Sequence, residues 1–470
     1  MWRVYRCEVA PLAFASPTVW LMTLSGLAFM IAGTGVLARC GLSTAAVPLA
    51  GAVAHIAGQT AAAALCVGIA TLIAAAVIHH CQPASAKIRH KVRRALAHPR
   101  YGNPLHLKDG ELLPAVKCKD IGGGVYELTI EARSGTVETI TDAASAISTA
   151  VNGRFVRYAV TQSDTGTAHD KVIFRLEDVL VDRSLVYSNA EQMRPNSPTR
   201  LRVQQGVEID LTTSGSMLVA GKTRSGKTTG IIALLIQALQ CGRDKYGSEI
   251  IIVDPKRAEL SRLPHTVSLN PDGEATGILA ALRRFADTVT ERQKILNDLS
   301  ERHGDAVKWW DAGMHPSLLF IDEYVSLKSI FPTKAAKDDP DYCLATFDGL
   351  LRRIVTMGAS AGCYVIISIA EASVQEGGLP AMLRSAMSTR ILFRPTRPEA
   401  LLMWDKAKLD AMPERVYAPG DAWFSSTDGI HDAVSYVHFP VMNFKVYAEL
   451  GRLLTLYYQD APDDAPPAAE

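Results

Sequence analysis

The strongest chemical signal in the chain lies at residues 217–229. The apolar run Met217-Leu218-Val219-Ala220 leads into Gly221-Lys222-Thr223-Arg224-Ser225-Gly226-Lys227-Thr228, followed by Thr229 and the apolar stretch 231–236. A strand, a Gly-x-x-x-x-Gly-Lys-Thr loop and a helix, in that order, form a phosphate-binding loop. Gly221 and Gly226 let the backbone turn with its N–H groups facing inward, a nest for anionic oxygens. The start of the following helix adds partial positive charge at the same place. On this reading Gly221, Lys222, Thr223, Arg224, Ser225, Gly226, Lys227, Thr228 and Thr229 hold a nucleotide. Lys227 reaches the β- and γ-phosphates and the Thr228 hydroxyl ligates Mg2+. The plainer alternative is a glycine-rich turn between a buried strand and a helix.

Two further strand ends carry charge. Ser317-Leu318-Leu319-Phe320-Ile321 is apolar and ends in Asp322-Glu323. Ligands of open α/β sheets bind outside the carboxyl ends of the strands. Asp322 is therefore placed to hold Mg2+, directly or through water, and Glu323 to orient and deprotonate an attacking water. An acid pair that only opens a helix is the alternative, and the phosphate loop earlier in the chain weighs against it. The third strand end is Ile250-Ile251-Ile252-Val253-Asp254, followed by Pro255-Lys256-Arg257-Ala258-Glu259-Leu260.

The elements that must position these groups follow from periodicity. From Leu201 onward buried strands alternate with helices, which predicts a parallel sheet with helices on both faces. Residues 111–187 read as mixed α+β. Strands are expected at 125–130, 155–160 and 171–176, and a helix at 137–151 ended by Asn152-Gly153. Residues 188–200, rich in Asn, Pro and Ser, read as a linker.

At 470 residues the chain suits two or three domains. A net charge of +1 does not announce a nucleic-acid binder, so any basic surface must be local. The eight cysteines are scattered without a Cys-x-x-Cys pair, which argues against zinc and against a disulfide framework. A reducing compartment fits that usage.

No acidic residue occurs between Glu8 and Asp109. Within that stretch 18–38 and 57–78 are apolar and long enough to cross a bilayer as helices of about 20 residues. Arg3 and Arg6 precede the pair. Lys87, Arg89, Lys91, Arg93, Arg94 and Arg100 follow it, and the connection carries only Arg39. The positive-inside rule then predicts a hairpin with both ends in the cytoplasm. A secretory signal does not fit, because a second span follows and no small-residue cleavage site is clear. The basic run 87–100 suits anionic lipid headgroups, with a DNA contact as the alternative.

Taken in order, several blocks resemble the FtsK/SpoIIIE family of DNA translocases, within the larger FtsK–HerA group of motors. These are the phosphate loop, Asp254-Pro255-Lys256 with Glu259-Leu260, Pro264-His265, 290–296, Asp322-Glu323, Arg353, Ala361-Gly362, 365–368, 388–393 and Gly420-Asp421. The resemblance covers about 111–455. It implies an α/β fold: a RecA-like P-loop motor domain, its parallel sheet covered by helices on both faces, preceded by a small α+β domain and a two-helix transmembrane anchor. The implied divisions are a cytoplasmic tail 1–16, the hairpin 17–80, a basic juxtamembrane segment 81–110, the small domain 111–190, the motor 191–458 and an acidic, Pro-rich tail 459–470, read as disordered.

The resemblance further implies ATP and Mg2+ as cofactors, hydrolysis coupled to movement of double-stranded DNA, and hexameric rings. Catalysis would fall to Lys227, Asp322 and Glu323, with Arg353 or Arg390 as a finger reaching a neighbouring subunit. Two spans, and no room after Tyr458 for a winged-helix reader of DNA sequence, look most like TcpA-type coupling proteins of conjugative elements. The expected setting is a bacterial cell membrane, multi-pass, with the motor in the cytoplasm and a relaxase and conjugation-channel proteins as candidate partners. A chromosome translocase of division or sporulation, an EccC-like protein-secretion motor and a nucleotide-binding scaffold of low turnover remain as alternatives. Two departures favour the last. Ala359 stands where the family usually has Arg, and Ser368-Ile369-Ala370-Glu371-Ala372 stands where it usually has Ala-Thr-Gln-Arg-Pro, so the Gln that would sense the γ-phosphate is replaced by Ala370. No DNA-contacting residue is legible; Arg283, Arg284, Arg292 and Lys294 read as a basic helix face.

Overall fold

The computed structural model describes residues 17–43, 48–97, 103–107, 113–132, 136–152, 158–178, 181–337, 339–370, 379–409 and 417–459. The tail 1–16, the tail beyond Gln459, Arg100, Gly153, Phe155, Glu371 and Ala372 lie outside them. The chain divides into two compact units, 1–180 and 181–470.

The first unit opens with two long helices, α1 (Pro17–Ser43) and α2 (Pro48–Cys81). Their stretches Trp20–Gly41 and Ala52–Ile78 are long and apolar enough to cross a membrane. The helices pair antiparallel. The Ser25 hydroxyl donates to the Gly68 carbonyl at 2.9 Å, and a Cβ on Gly35 would come within 2.9 Å of the Ala61 Cβ. Small residues permit such close approach and leave the larger apolar side chains on the outer faces. Those outer faces present Leu27, Met30, Leu37, Ile56 and Ile73.

After Gln82-Pro83 comes α3 (Ala84–Ala97), then β1 (Val116–Gly122), β2 (Val125–Glu131), α4 (Val137–Asp142), α5 (Ala144–Val151), β3 (Tyr158–Thr165) and β4 (Lys171–Asp178). The four strands form an antiparallel sheet in the order β1-β2-β4-β3. One helix was expected over 137–151. It is two, because Ala143 has ψ −1° and its N–H bonds Ile140 three residues back, which tightens the turn and breaks the α-helical ladder. Residues 84–97, expected within a separate basic segment, form a helix packed on β1 and α5.

The second unit contains β5 (Val186–Tyr187), β6 (Arg200–Gln204), β7 (Val207–Asp210), β8 (Met217–Ala220), α6 (Lys227–Gln240), β9 (Ile250–Asp254), β10 (Thr266–Ser268), α7 (Thr276–His303), β11 (Ser317–Ile321), α8 (Tyr324–Ile330), α9 (Leu344–Met357), β12 (Cys363–Ile369), α10 (Ala381–Ala386), β13 (Thr389–Phe393), α11 (Arg397–Ala400), α12 (Lys406–Leu409), β14 (Asp421–Ser426), β15 (Ser435–His438), β16 (Val441–Met442) and α13 (Val446–Gln459). Its main sheet runs β10-β9-β11-β12-β8-β13-β14-β15. The pairings from β10 to β13 are parallel and the last two antiparallel. Strands β8, β9, β11 and β12 are buried at every position, as a sheet covered on both faces requires. Alternate residues feed opposite cores: Leu218 and Ala220 join the side of α7 and α9, Met217 and Val219 the side of α6 and α13. The strand carrying the phosphate loop is thus separated from the strand carrying the acid pair by β12, the RecA-like order.

Two expectations fail here for reasons of packing. Residues 188–200 are not a free linker: Ala190 and Met193 are buried in the core of the second unit, β5 pairs with β16, and Arg202 donates to the carbonyls of Gln192 and Arg194. The unit boundary accordingly falls before Val181. Nor do the four cations of α7 form one free basic face, since Lys294 is the one of them that is exposed without an ion pair among the described residues. Arg283 pairs with Asp341 and Arg284 with Glu249. Arg292 is 1% exposed, bonded to Asp244 at 2.9 Å and to the carbonyls of Ala361 and His315. Periodicity alone could not distinguish a solvated arginine from one paired inside the core.

Asp244 also accepts from the N–H groups of Tyr246, Ser248 and His315. Asp244→Ala would leave Arg292 buried and unpaired, a loss of about 3–5 kcal/mol. Urea denaturation should show that loss, and Asp244→Leu combined with Arg292→Met should recover only the part due to the unpaired charge, because the three N–H groups stay without their acceptor.

Candidate functional site

Lys227 begins α6 and is 9% exposed. Gly226 before it has φ 92°, and a Cβ there would fall 2.6 Å from the Gly420 nitrogen, so only glycine fits the loop at that point. The loop is tied at its start by the Gly221 N–H to the Ile369 carbonyl, 3.3 Å, and lower down by the Gly420 N–H to the Ser225 carbonyl, 2.9 Å. Among the described residues no acceptor meets the N–H groups of Lys227 and Thr228, and the buried Ser225 hydroxyl has no partner. Free N–H groups, an orphaned hydroxyl and a lysine at one helix start suit anionic phosphate oxygens. Lys222 is tied to Glu399 at 3.3 Å; Thr223, Arg224 and Thr229 are exposed, and Thr228 is half-buried.

The end of β12 joins this loop to the acid pair. The Lys227 Nζ donates to the Ile369 carbonyl at 3.0 Å. One residue on, the Ala370 N–H donates to Glu323 Oε1 at 3.1 Å. The other Glu323 oxygen takes Lys256 Nζ at 3.0 Å. Glu323 itself has φ 53°, a left-handed conformation costing roughly 1–3 kcal/mol for a non-glycine residue. Those two bonds hold it there.

Lys256 comes from the charged turn after β9. Asp254 is fully buried and organises that turn: its carboxylate accepts from the N–H groups of Lys256 (3.0 Å), Ala258 (2.9 Å) and Ser261 (3.0 Å). Burial pushes the Lys227 amine down, against the pull of Glu323 and Asp322. Burial pushes the Asp322 carboxyl up, against the pull of Lys227. Each group therefore favours an added counter-charge, an anion for Lys227 and a cation for Asp322.

A cluster at the far side of the loop escaped the sequence reading. Asp421 accepts from Tyr436 OH (2.6 Å), His438 Nδ1 (2.7 Å) and the Ala418 N–H (2.7 Å), while Phe439 N–H bonds the Gly420 carbonyl (2.9 Å). This fixes the Pro419-Gly420 turn that bears on Ser225 and Gly226. Only Gly420-Asp421 was visible beforehand, and nothing in the spacing announces Tyr436 or His438.

The two arginines differ. Arg353 is exposed on α9, its guanidinium bonded to Thr290 Oγ1 at 2.6 Å. Arg390 lies at the start of β13, beside Leu218 and away from the loop end of β8. Its guanidinium turns back onto the carbonyls of Arg384, Met387 and Met403, and burial, with Arg384 nearby, lowers its pKa. Within this chain its guanidinium is thus engaged by backbone carbonyls. Ala359 is exposed in a 3-10 turn beside Ser360, which bonds Gln293.

Comparison with known proteins gives three findings. Residues 190–368 match the FtsK/SpoIIIE family. The FtsK domain-containing protein YdcQ of Bacillus subtilis (strain 168) is 26% identical over 152 residues, 32% of this chain; the match spans only 28% of that relative's length. Among solved structures, the pCW3 conjugation coupling protein TcpA with ATPγS covers 79% of this chain and 99% of its own at 17% identity and TM-score 0.46. EssC ATPases 2 and 3 from Geobacillus thermodenitrificans cover 60% and 53% at 15% identity and TM-score 0.42.

Although burial pushes the Asp421 carboxyl up, the bonds from His438, Tyr436 and Ala418 hold it below the usual range. Its contribution is then complete above about pH 3.9 and fades as pH falls through the depressed value. Asp421→Asn should lower the melting temperature at pH 7 by about 2–4 °C, the shift expected for roughly 1 kcal/mol in a unit of this size. The gap to the parent protein should close below about pH 4; a gap constant with pH would mean the charge does not hold the turn.

Proposed function

We propose that this chain is an FtsK-type ATP-driven motor, anchored in a bacterial cell membrane by α1 and α2, that moves double-stranded DNA during conjugative transfer. The observation that carries the reading is the convergence at the end of β12: Lys227 on Ile369 and Glu323 on Ala370, from two strands that are not neighbours. The family match over 190–368 supports the same class.

In this reading the N–H cradle and Lys227 hold the β- and γ-phosphates of ATP, and Thr228 with Asp322 hold Mg2+. The cation would neutralise charge on the phosphates. Glu323 takes the proton of the attacking water, for which it must give up Lys256, since a carboxylate in an ion pair is a weaker base. Arg353, exposed and on a helix surface, is the better candidate to reach a neighbouring copy in a hexameric ring. DNA would be held mainly through phosphates, so binding would be salt-sensitive and indifferent to sequence. A relaxase and channel proteins are the partners this role requires. The ties on both oxygens of Glu323, together with Ala359 and Ala370, are what favours the second reading, a nucleotide-binding scaffold of low turnover.

ATP hydrolysis by the full chain in detergent, with and without duplex DNA at low salt, separates these. The motor reading expects stimulation by DNA, and a fall of about a hundredfold or more in turnover for Glu323→Gln with ATP still bound. Bound ATP without stimulation would move the reading to a protein-handling motor or a scaffold. Unchanged turnover in Glu323→Gln would remove the base.

A further inference from the structure

Helix α3 is rich in cationic side chains, and the site described above does not use it. It carries Lys87, Arg89, His90, Lys91, Arg93 and Arg94 and no acidic residue. At about 100° per residue, Ile88, Val92, Ala95 and Leu96 fall on one face. All four are buried, and the helix packs on β1 and α5. The apolar face is thus consumed by the small domain and is not free to enter lipid. On the remaining arc Lys87, Lys91 and Arg94 share one flank, and Arg89 and Arg93 the other. Arg89, Lys91 and Arg94 are exposed. Among the described residues, none of Lys87, Arg89, Lys91, Arg93 and Arg94 is in an ion pair.

We infer that this outward face binds the anionic headgroups of the bilayer, pinning the small α+β domain to the membrane surface. The inference rests on the membrane reading of α1 and α2. Position supports it. The apolar stretch of α2 ends at Ile78, and only Gln82 and Pro83 separate α2 from α3. Two residues span at most about 7 Å, so the start of α3 cannot leave the end of α2, where the headgroups of a bilayer spanned by that helix would lie. Charge supports it too. Lys87 with Lys91, and Arg89 with Arg93, stand four residues apart on the helix, where like charges repel. No acid on α3 relieves them, and an anionic surface would, with an attraction that fades over a Debye length. DNA phosphates offer the same oxygens but are not held at this distance by the chain itself.

Hydrogen exchange of the α3 amides tests the idea in the full chain, reconstituted in nanodiscs of phosphatidylcholine alone or with about a third phosphatidylglycerol. Relief of the repulsion should slow exchange across 84–97 several-fold in the anionic discs. The difference should vanish at about 0.5 M salt. It should also vanish in the triple variant Lys87→Gln, Lys91→Gln, Arg94→Gln, whose changes avoid the buried face. Equal exchange in the two lipids overturns the inference, as does protection that appears only when a short DNA duplex is added. Failure of the chain to enter nanodiscs would instead remove the membrane reading itself, and this inference with it.

Discussion

Two consecutive backbone groups, the Ile369 carbonyl and the Ala370 N–H, form the hinge between the two halves of the site. They are the two ends of one trans peptide unit, whose C=O and N–H point in opposite directions, so one faces the phosphate loop and the other the acid pair. The carbonyl takes the Gly221 N–H and the Lys227 amine; the N–H holds Glu323. This works only because β12 lies between β8 and β11. A sheet with those two strands adjacent would have no such strut.

The site is held under electrostatic tension. Lys227 and Asp322 are both buried enough to disfavour their charged forms, and each depends partly on the other. Glu323 is kept in a left-handed conformation by Lys256 and Ala370. Bound phosphate and a divalent cation would relieve the first pair, and a water in place would compete with Lys256 for Glu323. At Ala370 the main chain itself engages Glu323, so the contact depends on no side chain at that position.

Much of this was legible in the sequence because it is written in side chains at fixed spacing. The phosphate loop, Asp322-Glu323, the two apolar helices and the alternation of strands with helices all announce themselves by pattern. What was not legible depends on three-dimensional neighbours. Arg292 and Arg390 look like surface cations in a string of letters, yet one is paired in the core and the other folded onto carbonyls. Residues 188–200 have the composition of a linker, but Ala190 and Met193 anchor them. Tyr436 and His438 carry no motif, since their work is to hold Asp421 and, through it, a turn against the loop. Backbone donors such as Ala370 have no signature at all.

The central claim, that 221–229 and the end of β12 form a nucleotide site, is tested most directly by calorimetric titration of Mg2+ and ATPγS into the full chain and into Lys227→Ala. One site per chain in the parent, weakened about ten- to a hundredfold in the variant as expected for loss of a charged hydrogen bond, is the predicted result. Equal affinity in the two proteins, or no binding in the parent, would contradict it.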